Sequence, residues 1–198
     1  WSSHALMDYA LIRAFRDPLH GYDRAREEML SSFGAARGPV AKYLDGIYAH
    51  TTAMTFAEIR KMSWDNYCGG TGGGGSFVNC AAILGEFFDE GFFVECKIQL
   101  AEALKAAAGD ADVIGRIKFL YKGLRDTELT RKVRIAQKSW KAELDNAEKK
   151  DAFDAAFKRM NDYRATVEND CVCNFMHAAQ NERNGLGWPH KLLEEKKK

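Results

Sequence analysis

Between Pro39 and Pro189 the chain carries no proline, and that gap limits its possible folds more than any other feature. Proline interrupts helices by removing a backbone donor and clashing with the preceding turn, so a long proline-free span leaves helices free to run. The same span is rich in Ala, Leu, Lys and Glu. Its Val, Ile and Thr residues never fall into the alternating pattern of a half-buried strand. An all-α fold is predicted: an elongated antiparallel helical bundle of three to four long helices plus shorter N-terminal helices, forming one domain over residues 1–198.

Element boundaries follow from local signals. Ser3 can cap a first helix that Pro18 ends or kinks, and Leu19, Tyr22, Met29, Leu30 and Phe33 recur at helical spacing. Gly34 to Gly38 breaks the chain, and Pro39 suits the first turn of the next helix, whose apolar side carries Val40, Tyr43, Leu44 and Ile47. Thr55 and Glu58 have capping-box spacing, predicting a helix to about Asn66. A strongly apolar helix is predicted over 77–108, with a core seam through Cys80, Leu84, Phe87, Gly91, Val94, Ile98 and Ala101. Gly109 is a natural C-cap and Asp110 a natural N-cap. Beyond them come a stripe of Ile114, Ile117, Tyr121 and Leu124, then one of Leu129, Val133, Ala136, Trp140, Leu144 and Ala147. A third holds Phe153, Phe157, Met160, Val167, Cys171, Phe175 and Ala178. The phase slips near Glu148 to Asp151, so either two helices meet with Asp151 as N-cap or one very long helix rotates its buried face. Asn184-Gly185 is expected to end the last helix.

Six glycines, one threonine and a serine fill the stretch Gly69 to Ser76. The run Gly-Gly-Gly-Gly-Ser is a flexible connection with no fold of its own, since glycine has the most freedom to lose on ordering. Residues 69–76 therefore read as a linker standing in place of a longer native loop. No Gly-Lys-Ser/Thr follows it, so it is not a phosphate-binding loop. The chain opens on Trp1 rather than Met, as expected of a trimmed or mature form.

Charge is balanced, with 29 basic and 28 acidic residues for a formal net charge of +1. A nucleic-acid partner calls for a dominant basic stripe, so none is expected. No apolar run approaches the ~20 residues of a membrane span, so the chain is not expected to be embedded in a bilayer. The five cysteines, Cys68, Cys80, Cys96, Cys171 and Cys173, are disulfide candidates, and a bridge from Cys80 or Cys96 to Cys171 would clamp two helices.

Candidate contact residues lie on two features. Phe93, Cys96, Leu100 and Leu104 form a second stripe on the 77–108 helix, away from its main seam. That stripe is either an exposed patch for a partner or the second packed side of a central helix. Trp64 and Trp188 stand near chain breaks and are candidate contact anchors, with packing against helix ends as the other reading.

No catalytic, metal or cofactor site is expected. The five histidines are scattered, and no Gly-x-Ser-x-Gly, His-Glu-x-x-His or Glu-x-x-His pattern occurs. Cys173 and His177 share a helical face, but Cys171 is turned away and the remaining ligands of a zinc site are missing.

The stretch Phe119-Leu-Tyr-Lys-Gly-Leu-Arg125 resembles the opening of the LYR proteins, small helical mitochondrial accessory and assembly factors, with Lys122 where that family has arginine. The resemblance implies an accessory role in an intracellular, mitochondrial assembly. The residues themselves favour a non-enzymatic domain that binds another protein, as the ectodomain of a secreted or cell-surface receptor. An accessory or scaffold subunit is the alternative, and an enzyme with an unrecognised pocket is a third class.

Overall fold

The computed structural model describes residues 5–53, 55 and 87–190. The fold is all-α, and the described residues contain no strand. Seven α-helices are seen among them: α1 (Ala5–Ala14), α2 (Gly21–Ser31), α3 (Arg37–Thr52), α4 (Glu90–Ala106), α5 (Ala111–Lys141), α6 (Ala147–Thr166) and α7 (Phe175–Leu186). Short 3-10 turns at Gly34–Ala36 and Glu168–Asp170 supplement them. The predicted helix over 55–66, the glycine-rich linker at 69–76 and the seam residues Cys80 and Leu84 lie outside the described residues. No helix among the described residues is long and apolar enough to cross a membrane.

The described residues divide into two compact units. The first takes residues 5–53, 90–125 and 170–172. Here α1 packs on α2 and α3 on α4. A Cβ at Gly21 would stand 2.7 Å from the Ala14 backbone, so glycine lets α2 begin directly against the end of α1. Ion pairs add to the packing: Arg13 Nη2 lies 2.6 Å from Glu28, and Arg26 bridges α2 to Asp45 of α3 at 2.7 Å. Asp45 hydrogen bonding raises the Arg26 pKa above its usual value despite opposing desolvation. The core of this unit comprises Leu30, Phe33, Val40, Tyr43, Phe93, Leu100, Ile117 and Leu120, all buried. Residues 170–172 join it through buried Val172 and the Lys122–Asp170 ion pair of 2.8 Å.

Several predicted boundaries are present. Pro39 sits in the first turn of α3, and Val40 and Tyr43 are buried there. Gly109 is left-handed at φ +87° after α4, and Asp110 Oδ1 accepts the Val113 N–H at 3.0 Å to cap α5.

The predicted face of α4 is corrected. Phe93, Cys96, Leu100 and Ala103 are its buried residues, whereas Val94, Ile98 and Ala101 of the expected seam are exposed. Both stripes have heptad-like spacing, so spacing alone did not choose between them. The buried one carries the larger apolar groups, while the other reaches Lys105 after Ala101. Phe93 and Leu100 are therefore core residues rather than an exposed patch, and Leu104 is half-buried.

The second unit takes residues 126–169 and 173–190, with Thr55 and 87–89. Its core gathers Leu129 and Val133 from α5, Phe153 and Met160 from α6, and Leu186 and Trp188. Trp140, Phe153 and Phe157 stack in series, at ring separations of 5.3 and 6.0 Å. The break before α6 falls earlier than expected: Asn146, not Asp151, is the N-cap, accepting the Lys149 N–H at 3.1 Å. Asp151 lies inside α6, and Leu144 is exposed beyond the end of α5. Lys149 and then Asn146 hydrogen-bond the Glu143 carboxylate, holding its pKa below the usual range.

The third predicted stripe is also cut. Helix α6 stops at Thr166, Cys171 is exposed in a left-handed conformation (φ 55°), and Asn174 caps α7 by accepting the His177 N–H at 3.1 Å. Side chains of Asn and Asp offer the backbone local alternatives to helix, and Asn169, Asp170 and Asn174 cluster here. Gly187, at φ +68°, ends α7 two residues past the expected stop and turns Trp188 back toward the core.

Cys96, Cys171 and Cys173 are free thiols, so the expected bridge between Cys96 and Cys171 is absent. Cys96 faces the core while Cys171 points to solvent. Cys68 and Cys80 lie outside the described residues. Burial pushes the Cys96 thiol up to about 12, with the Glu95 charge adding to the effect. Since the thiolate is the nucleophile, native-state alkylation at pH 8 followed by peptide mass analysis should modify Cys171 at least roughly ten times faster than Cys96. Equal rates would show that Cys96 is not held in the core.

Candidate functional site

Two features carry unusual chemistry for a small helical protein. The first is a buried charge cluster in the second unit. Arg164 of α6 is almost fully buried, an expensive location for a guanidinium unless its donors are paired. Its Nη1 and Nη2 donate to the two Glu182 oxygens of α7 at 2.8 and 2.9 Å, a bidentate fork. Nε donates to Asp126 Oδ1 at 2.8 Å, and Nη2 also reaches Thr130 Oγ1 at 3.1 Å, both on α5. Thr130 in turn donates to the Asp126 carbonyl at 2.9 Å. The Phe175 ring lies 5.6 Å from the guanidinium carbon.

The electrostatics follow from this pairing. Burial works against the Arg164 charge, but Glu182 hydrogen bonding and the Asp126 and Glu182 charges prevail and raise its pKa. Burial likewise opposes the Glu182 carboxylate, yet His190 and Arg164 hold its pKa below the usual range. His190 Nε2 lies 2.8 Å from Glu182 Oε2, and its ring meets Phe157 at 4.9 Å. The guanidinium and the two carboxylates are thus engaged with one another, which makes the cluster a clamp joining α5, α6 and α7.

That clamp makes the second unit sensitive to acid. A carboxylate with a folded pKa below its unfolded value of about 4.3 stabilises the fold above that value. The contribution is lost as pH falls through the folded pKa. Urea midpoints should therefore drop as pH is lowered from about 6 to below about 4. The steepness should diminish in Glu182→Gln, which has no charge there to lose; an unchanged profile in that variant would assign the acid sensitivity elsewhere.

The second feature is the outer face of α1. Met7, Leu11 and Ile12 expose 62%, 61% and 62% of their surface, and Phe15 and Leu19 just beyond the helix expose 84% and 86%. The inward side of this helix is built differently. Ala10 is buried, Tyr9 donates to Glu28 at 2.6 Å, and Arg13 binds the same carboxylate. The Tyr9 pKa is raised, chiefly by that hydrogen bond. Docking α1 through its polar and small side chains thus turns its large apolar side chains outward.

A third feature, an open hollow of about 450 Å³ in the first unit, lies between Met29, Ser32 and Phe33 on one side and Asp112, Arg116 and Phe119 on the other. Arg116 at its edge already donates to the Ser32 carbonyl.

The sequence candidates fall elsewhere. Trp188 is buried, donating from Nε1 to Gln137 Oε1 at 2.9 Å, and so packs at a helix end rather than offering a contact anchor. Trp64 lies outside the described residues. Cys173 precedes the Asn174 cap, so it does not share a helix with His177. Residues 119–125 lie within α5, with Leu120 and Leu124 buried and Lys122 paired with Asp170.

No known protein family, curated protein or solved structure matches the chain. The likeness of 119–125 to the LYR proteins accordingly rests on those seven residues alone.

Reading the sequence for core stripes passed over both principal features. Met7, Leu11 and Phe15 do stand four residues apart, a signal for one helical face. Nothing in the sequence indicates that Arg164, Asp126, Glu182 and His190 converge, because their separations follow from helix packing.

Proposed function

We propose that this chain is a non-enzymatic, protein-binding helical domain that docks its partner through the outer face of α1. The observation carrying this reading is the exposure of five large apolar side chains, Met7, Leu11, Ile12, Phe15 and Leu19, within thirteen residues of chain. Single exposed apolar residues are ordinary, whereas a contiguous group marks a surface that gains from being covered. Phe15 and Leu19, the most exposed of them, follow the end of α1 and extend the proposed contact beyond it.

A secreted or cell-surface setting would favour disulfides. The three described thiols are free, which supports the second reading, an accessory or scaffold subunit of an intracellular assembly. Disulfides persist in oxidising compartments and are rare where cellular reductants act.

A photo-reactive phenylalanine analogue at position 15, irradiated in the source cells, tests the docking face. Position 158 on α6 serves as control, because the Lys158 side chain is 76% exposed without adjoining α1 in sequence. A discrete adduct from position 15 and none from 158 is expected. No adduct, or the same adducts from both positions, would overturn the reading.

A further inference from the structure

The charges of α1 say more about what covers its apolar face. Residues 5–17 contain four charged side chains, Asp8, Arg13, Arg16 and Asp17. Arg13 is bound to Glu28, and Asp17 is bound to Arg24 at 2.8 Å. Among the described residues neither Asp8 nor Arg16 has an ion-pair partner. Asp8 and Ile12 share a ridge of α1 that Arg16 extends in the turn closing the helix, beside the apolar line of Met7, Leu11 and Phe15. Helix α1 ends at Ala14, and a tighter turn closes it, in which the Arg16 and Asp17 N–H groups both donate to Arg13 O at 2.9 Å. Eight residues separate Asp8 from Arg16, about 12 Å along the helix at 1.5 Å per residue.

An acid at one end, a base at the other and an isoleucine midway is a self-complementary pattern. A two-fold axis requires each surface to match itself when reversed. Centred on Ile12, an antiparallel second helix brings Asp8 beside Arg16 of the second copy and Arg16 beside Asp8 of the second copy. The apolar ridges of both copies then meet between the charge pairs. A parallel arrangement sets like charges side by side and is disfavoured.

We infer that the partner docked on α1 is a second copy of this chain, arranged antiparallel about Ile12. This inference rests on the proposed role of the α1 face and names its occupant. One short helix per partner is a small interface, which places the dimer at the weak end of specific association.

The test is sedimentation equilibrium of the full chain at sub-millimolar concentration, comparing wild type with D8R, R16D and D8R/R16D. Wild type should self-associate to a dimer. Each single change creates two like-charge contacts per dimer and should weaken association by about ten-fold. The double change restores two opposite-charge contacts and should recover dimerisation, which also shows that the individual side chains are not needed for folding. A monomeric wild type overturns the inference, as does a double variant no better than the singles. A monomeric wild type that still yields a discrete foreign adduct at position 15 would leave the docking face standing and remove the second copy as its occupant. Loss of that adduct as well would remove both.

Discussion

Replacing Arg164 with methionine should cost roughly 3–5 kcal/mol of folding stability, because it leaves the buried Glu182 and the partly buried Asp126 carboxylates without their shared cation. Glu182 and Asp126 depend on that guanidinium, at 2.8–2.9 Å and 2.8 Å respectively. The size of the loss reports the penalty for stranding the carboxylates rather than the value of the ion pairs. For that reason R164M/E182L/D126L should be more stable than R164M alone, since replacing a whole buried ionic group by apolar side chains is often neutral or better. Urea denaturation followed by circular dichroism measures both variants. If R164M costs under about 1 kcal/mol, the cluster is hydrated and does not clamp the three helices.

Trp188→Ala is the second large effect, expected at about 3–5 kcal/mol for deleting a buried indole from a close-packed core. Trp188 lies against Phe157 edge-on at 6.0 Å and belongs to the core with Leu129, Val133 and Met160. It also supplies the N–H that Gln137 Oε1 accepts, while Gln137 Nε2 donates to the Leu186 carbonyl at 2.7 Å. Trp188→Phe separates the two contributions. It keeps most of the ring packing and should cost only about 1–3 kcal/mol for the lost donor in a buried site. If alanine and phenylalanine prove equally mild, residues 187–190 do not anchor α7.

How much of this molecule the sequence disclosed depends on the range of the interaction. The all-α class came from local preference and spacing, as did the Asp110 cap and the Gly109 turn. Helix phase was harder. In α4 both stripes keep a heptad-like period, and the packing of this helix on α3 and the Gly34–Ala36 turn goes with burial of Phe93 and Leu100 rather than Val94 and Ile98. The Asn146 cap was missed because an apolar repeat through Leu144 and Ala147 suggested a longer helix, while the side chain of one asparagine ends it. The α1 strip was legible as a four-residue repeat, but its exposure required knowing that Ala10 and Arg13 face α2. The Arg164 cluster joins residues up to 56 positions apart, Asp126 to Glu182, and no local rule anticipates it.

The interleaving of the two compact units bears on how the chain is made. The first unit needs residues 5–53, then 90–125, then 170–172. A ribosome adding about 5–20 residues per second would hold that unit incomplete for on the order of ten seconds after its first segment emerges. Until α4 is made, the nascent α3 displays Val40 and Tyr43 without the helix it packs against. Because the segments of the two units alternate along the chain, no single cut in the gene separates one unit from the other.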